Sequence, residues 1–191
     1  GGAARHNVAN ALAAIAAAAA LGVPTAAIAR GLEGFAGSAA DNPGRANLFD
    51  IGGVRVVVDF AHNPHGMAAL GDIASALRRG RTLVALGQAG DRNDESIREL
   101  TRAAYALHPD HVIVKEMDKY RRGRAPGEVP GLITDELRRL GMPPEAISTA
   151  PDDLGALRQA LEWGRPDDLL LVTIHVDQQP ALELLEGLTT T

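Results

Sequence analysis

Residues 54–66 read VRVVVDFAHNPHG, and the order of residue types in this stretch decides the fold. The β-branched run at 54–58 predicts a strand, Asp59 closes it with a carboxylate, and Asn63-Pro64 announces a helix. Asparagine can accept an amide hydrogen bond as the helix cap, and proline costs nothing in the first turn, where its missing N–H would have no partner. Strand, acidic residue, turn and helix in that order put free amides and a carboxylate at one edge of a sheet. Open α/β proteins bind nucleotides and related ligands at such an edge.

Beyond this unit, β runs alternate with helical stretches. Strands are predicted at 82–86, 111–115, 146–149 and 169–174, and helices at 64–79, 94–107, 128–140, 152–163 and 180–188. This alternation predicts an α/β fold with mainly parallel strands and helices on both faces. On the N-terminal side, a run at 47–51 meets 54–59 through Gly52-Gly53, which predicts a hairpin and one antiparallel edge. Further upstream, HNVANALAAIAAAAAL at 6–21 is an alanine-rich helix stopped by Gly22, followed by a short helix at 25–33. Residues 34–44 are small, polar and turn-forming, so a hinge or domain boundary is placed there.

The composition narrows the functional classes. With 46% hydrophobic and 23% charged residues the 191-residue chain is an ordinary globular protein, and its few aromatics (3%) leave the core to Ala, Val, Leu and Ile. A formal charge of -5 and a pI near 5.7 argue against a nucleic-acid partner. The absence of cysteine removes disulfides, thiolate metal sites and cysteine nucleophiles. The alanine-rich stretch is too weakly hydrophobic to cross a membrane, and a cytoplasmic location is expected.

Polar residues collect after the predicted strands: Asp59, His62 and Asn63, then 87–92 (GQAGDR), then Lys115-Glu116 and His175-Val176-Asp177. Each cluster has a plain structural reading, such as a turn hydrogen bond at Asp59 or an Asp94 helix cap. Their recurrence at equivalent positions favours a ligand edge. His62 and His65, with Asp59, have the spacing of metal ligands, but Pro64 begins a helix between them and no metal is expected. No serine lies in a nucleophile-elbow context, and no G-x-x-x-x-G-K-[ST] phosphate loop is present. The charged run at 115–128 carries Arg121, Arg122 and Arg124, which suit a carboxylate or phosphate. A solvated loop is the competing reading.

Four motifs in order, Arg5-His6-Asn7-x-x-Asn10-Ala11, Gly44-Arg45, Asp59-Phe60-Ala61-His62-Asn63-Pro64 and Gly90-Asp91-Arg92, resemble the Mur ligase family. The run RRGRAPGEV at 121–129 most resembles its cyanophycin-forming branch. The resemblance implies ATP-dependent joining of an amino acid to a carboxylate acceptor through an acyl-phosphate. It also implies a Rossmann-like domain at 47–191, a hinge at 37–46, and at 1–36 the helical end of a central ATPase domain. ATP or ADP would meet His6, Asn7, Asn10, Arg45, Asp59, His62 and Asn63, while Asp91, Arg92, Arg122 and Arg124 would face the substrate. Magnesium ligands are expected in the remainder of the central domain, and no residue of this chain is assigned as catalytic. The sequence does not set the oligomeric state. The chain reads as a fragment that is inactive alone; the competing reading is a non-catalytic module that binds adenine nucleotide. Peptidoglycan-type G-K-G-H-[DE] and D-N-P-R motifs are not visible.

Overall fold

The run Val54–Asp59 forms strand β2, and its turn leads into helix α3 (Pro64–Leu77) with Asn63 as the cap, its Oδ1 accepting from the Gly66 amide at 2.8 Å. The computed structural model describes residues 5–35 and 42–189, with side chains described from Val8 onward. Residues 36–41, which include most of the expected hinge, lie outside the described residues.

Strand β1 (Asn47–Ile51) pairs antiparallel with β2, with Asn47 opposite Val58 and Ile51 opposite Val54. Gly52 and Gly53 both have positive φ (58° and 85°), the conformation a two-residue hairpin requires. The remaining strands, β3 (Thr82–Leu86), β4 (His111–Lys115), β5 (Ile147–Ala150) and β6 (Leu169–Thr173), are parallel to β2, in the order β1-β2-β6-β3-β4-β5. The fold is therefore α/β, a mostly parallel sheet with helices on both faces, as the alternating pattern predicts. Helices α4 (Asp94–Tyr105) and α5 (Glu128–Arg139) join α3 on one face, and α6 (Asp153–Trp163) and α7 (Gln178–Thr189) cover the other.

Alternation along β2 explains why both faces are apolar. Val57 packs with Met67, Leu70 and Leu100 on the α3 side, whereas Val56 and Val58 pack with Leu157, Leu182 and Leu185 on the α6 side. Strand β6 inserts between β2 and β3, so the chain reverses its winding there, and loops diverge from the C-terminal ends of β2, β6 and β3. That divergence positions the site.

Some predicted boundaries shift for local reasons. Helix α3 ends at Leu77 because Arg78 turns extended (ψ 130°) and its guanidinium binds Thr82 Oγ1 and the Leu107 and His108 carbonyls. Asn93, not Asp94, caps α4, its Oδ1 accepting from the Ser96 amide at 2.8 Å. Upstream, α1 (Arg5–Ala20) closes at Gly22 (φ 77°), and α2 (Thr25–Glu33) buries none of its residues. Among the described residues no helix is long and apolar enough to cross a membrane.

Candidate functional site

A cavity of about 340 Å³ opens at the C-terminal end of β2, between the turn that follows it, the first turns of α3 and the residues ahead of β1. Asn10, Arg45, Asp59, His62 and Asn63 all line it. These five come from three separate sequence motifs, and folding brings them to one place. His6 and Asn7 have side chains outside the described residues.

Arg45 is exposed, with its Cζ 4.9 Å from the centre of the Phe60 ring, a distance at which the ring face attracts the cation. Asp59 Oδ2 accepts from the Ala46 amide at 2.9 Å, so this carboxylate also moors the residues ahead of β1 to the end of β2. Asn47 completes that mooring: its Oδ1 accepts from the Gly44 amide and its Nδ2 donates to the Asn42 carbonyl. Gly44 is favoured by its φ of 70°, a left-handed conformation that side-chain-bearing residues rarely adopt. The His62 ring has Nδ1 3.0 Å from the Phe60 carbonyl, which assigns the proton to Nδ1 and leaves Nε2 as acceptor beside Asn63 Nδ2. His65 is exposed, and among the described residues no three His, Asp or Glu side chains gather as a metal site.

The other side of the turn faces a smaller cavity, about 150 Å³, which Phe60 and His62 share with Gln88, Arg92, Tyr120 and His175. Gln88 is buried and spans the gap, its Nε2 donating to the His62 carbonyl at 2.9 Å. Of the four expected substrate-facing residues, only Arg92 lines either of these two cavities; Asp91 and Arg122 are exposed. Arg122 lies against Tyr120, 5.3 Å from the ring centre. Arg124 is differently occupied. Its Nε donates to the Gly90 carbonyl, its Nη2 to the Arg92 carbonyl and Asp94, and its Nη1 to Glu128. It latches the loop after β3 to the loop after β4. Gly90 permits that contact, because a Cβ there would stand 2.0 Å from the Arg121 carbonyl oxygen.

Sequence reasoning gave no individual role to a buried polar cluster behind the turn. Lys115, at the end of β4 and fully buried, donates to Asp153 Oδ1, to the Thr173 carbonyl and to His175 Nδ1 at 3.2 Å. The signals were the strand-end positions of Lys115 and of His175, which the polar clusters after the predicted strands already marked; Asp153 carried none. Burial lowers the Lys115 pKa, opposed by the Asp153 charge. Burial alone would raise Asp153, but Lys115 and the Val176 and His175 amides outweigh it and hold the carboxyl low. His175 falls to about 4, first through burial and then through the Lys115 charge, and so stays neutral at pH 7.

Comparison with known proteins gives the family. Residues 44–173 match the family model described as Mur ligase, glutamate ligase domain. The chain is 38% identical over 187 residues to a cyanophycin synthetase of Synechocystis sp., covering 98% of this chain and 21% of that protein. It is 37% identical over 170 residues to the UDP-N-acetylmuramoyl-L-alanyl-D-glutamate--2,6-diaminopimelate ligase of Alkalilimnicola ehrlichii, covering 87% of this chain and 31% of that one. The chain thus spans less than a third of either relative. Among solved structures, UDP-N-acetylmuramate-alanine ligase of Thermotoga maritima superposes with a TM-score of 0.63 at 21% identity, covering 95% of this chain and 37% of that one.

Proposed function

Because the chain belongs to the Mur ligase family, we propose that it forms the C-terminal portion of an ATP-dependent ligase that joins an amino acid to a carboxylate acceptor through an acyl-phosphate, in the manner of cyanophycin synthesis. The observation that carries this reading is the convergence of Asn10, Arg45, Asp59, His62 and Asn63 on one cavity. The match to a cyanophycin synthetase over nearly the whole chain supports the branch. In this reading residues 47–191 are the Rossmann-like domain, 37–46 the hinge, and 1–36 the helical end of a central ATPase domain.

The side chains suit an adenine nucleotide. A cavity of about 340 Å³ is in the range of small-molecule sites. An amide such as Asn10 matches the donor and acceptor edge of adenine, and the Asp59 carboxylate suits ribose hydroxyls. Arg45, held on Phe60, presents a planar cation to a phosphate. Magnesium is assigned to no residue here; it belongs with the main phosphate grip in the central domain. Arg92 and Arg122 would meet the amino acid or acceptor, with Asp91 beside them, while Arg124 shapes the loop from behind. Catalysis by this half is positioning of the reactants rather than proton transfer.

Calorimetric titration with ADP tests the assignment. The 191-residue chain is expected to bind ADP weakly and to give no ligation alone. Arg45→Ala and Asp59→Ala should each weaken ADP binding by about tenfold, the scale of one charge-assisted contact. Equal affinity in both variants would remove these contacts, and ligation by the chain alone would overturn its role as a partial enzyme.

A further inference from the structure

The geometry points to a buried positioning relay, Lys115–Asp153–His175, that holds the Ala61 carbonyl and through it the Asp59–Asn63 turn between the two cavities. The inference rests on the ligase reading only for its functional consequence; the relay itself stands on the hydrogen bonds.

The chain of contacts is continuous. His175 Nε2 lies 3.1 Å from the Ala61 carbonyl oxygen, in the middle of the turn. A carbonyl accepts only, so Nε2 carries the proton, and Nδ1 is left to accept from Lys115 Nζ. Lys115 thereby uses all three of its donors, on Asp153, the Thr173 carbonyl and His175. Asp153 then anchors the far side. Its Oδ1 takes the lysine, and its Oδ2 accepts from the amides of His175, Val176 and Asp177 at 2.8, 2.6 and 3.2 Å. One carboxylate at the start of α6 therefore fixes both the lysine and the backbone that carries the histidine.

The surroundings are shaped for this arrangement. Gly87 lacks the Cβ that would stand 2.8 Å from Lys115 Cγ, so the lysine can cross the end of β3. The His175 ring meets Phe60 edge-on at 5.1 Å, and Phe60 carries the Arg45 guanidinium on its ring. Two ends of the site, the His62–Asn63 face and Arg45, thus depend on one imidazole. Gln88 holds the neighbouring His62 carbonyl from the loop after β3, so the turn is gripped at two consecutive carbonyls.

A buried ion pair is costly to assemble, and a hydrophobic trio would fill the same space at less cost. What the polar trio adds is direction: each donor has one acceptor, and the imidazole tautomer is dictated. The charged and titratable groups facing His175 are Lys115 from β4, Asp153 from α6 and His62 from the turn, with Asp177 acting on Lys115. Protonating His175 would set two cations side by side and release Lys115 from Nδ1.

Nitrogen-15 imidazole NMR on the full chain tests the relay without any ligand. At pH 7 His175 should be neutral with the proton on Nε2; a proton on Nδ1, or an imidazolium, would overturn the proposal. Hydrogen exchange provides the second readout, at the Gly66 and Met67 amides that bond to Asn63. His175→Ala should speed their exchange by about tenfold, and His175→Gln, which can still donate to Ala61 and accept from Lys115, should restore it to within about threefold. Unchanged exchange in His175→Ala, or no rescue by glutamine, would sink the relay. If His175→Ala does not fold, the tautomer and the glutamine variant still decide. ADP affinity should follow the same order, weaker by about tenfold for alanine and recovered for glutamine. Failure of ADP to bind the unmodified chain would count against the proposed function alone, because tautomer and exchange are read without nucleotide.

Discussion

The two ends of the sheet solve the burial of charge in opposite ways. At the N-terminal end the buried ion is an acid. Asp168, with a side chain 5% exposed, accepts from Arg81 Nε and Nη2 and from the Arg81 and Arg165 amides, while Arg81 itself is 47% exposed and stacks on Trp163 at 3.9 Å. The cation keeps its water, so the pairing is inexpensive. At the C-terminal end the cation is buried as well: Lys115 and Asp153 are 0% and 1% exposed. Solvent contributes nothing there, and a neutral histidine and a peptide carbonyl must complete the lysine's shell. The first arrangement ties down loops; the second points an imidazole at the turn that lines the site.

Breaking each pair should expose that difference most strongly. Both carboxylates keep amide donors when the cation is removed, so the contrast rests on burial. Lys115→Met takes the counter-ion from a site that water does not reach and is expected to cost about 3–5 kcal/mol, whereas Arg81→Met removes a half-exposed cation that water can replace and should cost about 1 kcal/mol. Urea denaturation reads both, and equal losses would mean that the two ends are energetically alike.

The pH profile gives the next largest contrast. His175 has its folded pKa depressed to about 4 from 6.5, so the unfolded chain takes up its proton first and stability falls as pH drops from about 6.5 to about 4. Glu136 behaves separately. Arg139, then Arg102, hold its buried carboxylate at about 2 between α4 and α5, so its contribution is complete above about 4.5 and is lost as pH falls toward 2. Midpoint measurements across pH should show two steps, the upper removed by His175→Gln and the lower, which Asp153 and Asp168 share with Glu136, reduced but not abolished by Glu136→Gln. A single step, or removal of the wrong one, would misplace the charges.

The smallest contrast lies within one loop. Arg124→Ala breaks the latch to Gly90, Arg92, Asp94 and Glu128 and should cost about 1–2 kcal/mol. Exposed Arg122, two residues earlier, should change stability by less than about 0.5 kcal/mol on replacement by alanine. If Arg122→Ala then lowers ligation in an enzyme that also supplies the central domain, the effect belongs to substrate contact.

These pairs also mark how far the sequence could be read. The hairpin at Gly52-Gly53, the strands from β1 to β4 and the Asn63 cap follow from local chemistry: positive φ, β-branched runs, and an amide acceptor ahead of proline. The set that lines the larger cavity was legible for a different reason, since Asn10, Arg45, Asp59, His62 and Asn63 sit in motifs, and the cavity they share needed no periodicity to suggest it. Arg122 and Arg124 looked alike in one charged run. Only in the folded chain do the Gly90 and Arg92 carbonyls, with Asp94 and Glu128, come within reach of Arg124 and turn it inward.

The sequence by itself determined the layering, because apolar alternation and turn residues act over a few positions and dictate which faces must be covered. It determined the residues of the turn, 59–64, for the same reason. The tertiary structure alone decided what stands behind that turn. Lys115, Asp153 and His175 are separated by 38 and 22 residues, too far for any local preference to pair them. They meet because two parallel crossovers, β4 to β5 and β5 to β6, deliver their strand ends and helix start to one edge, where burial forces each polar group to find its partner among the others.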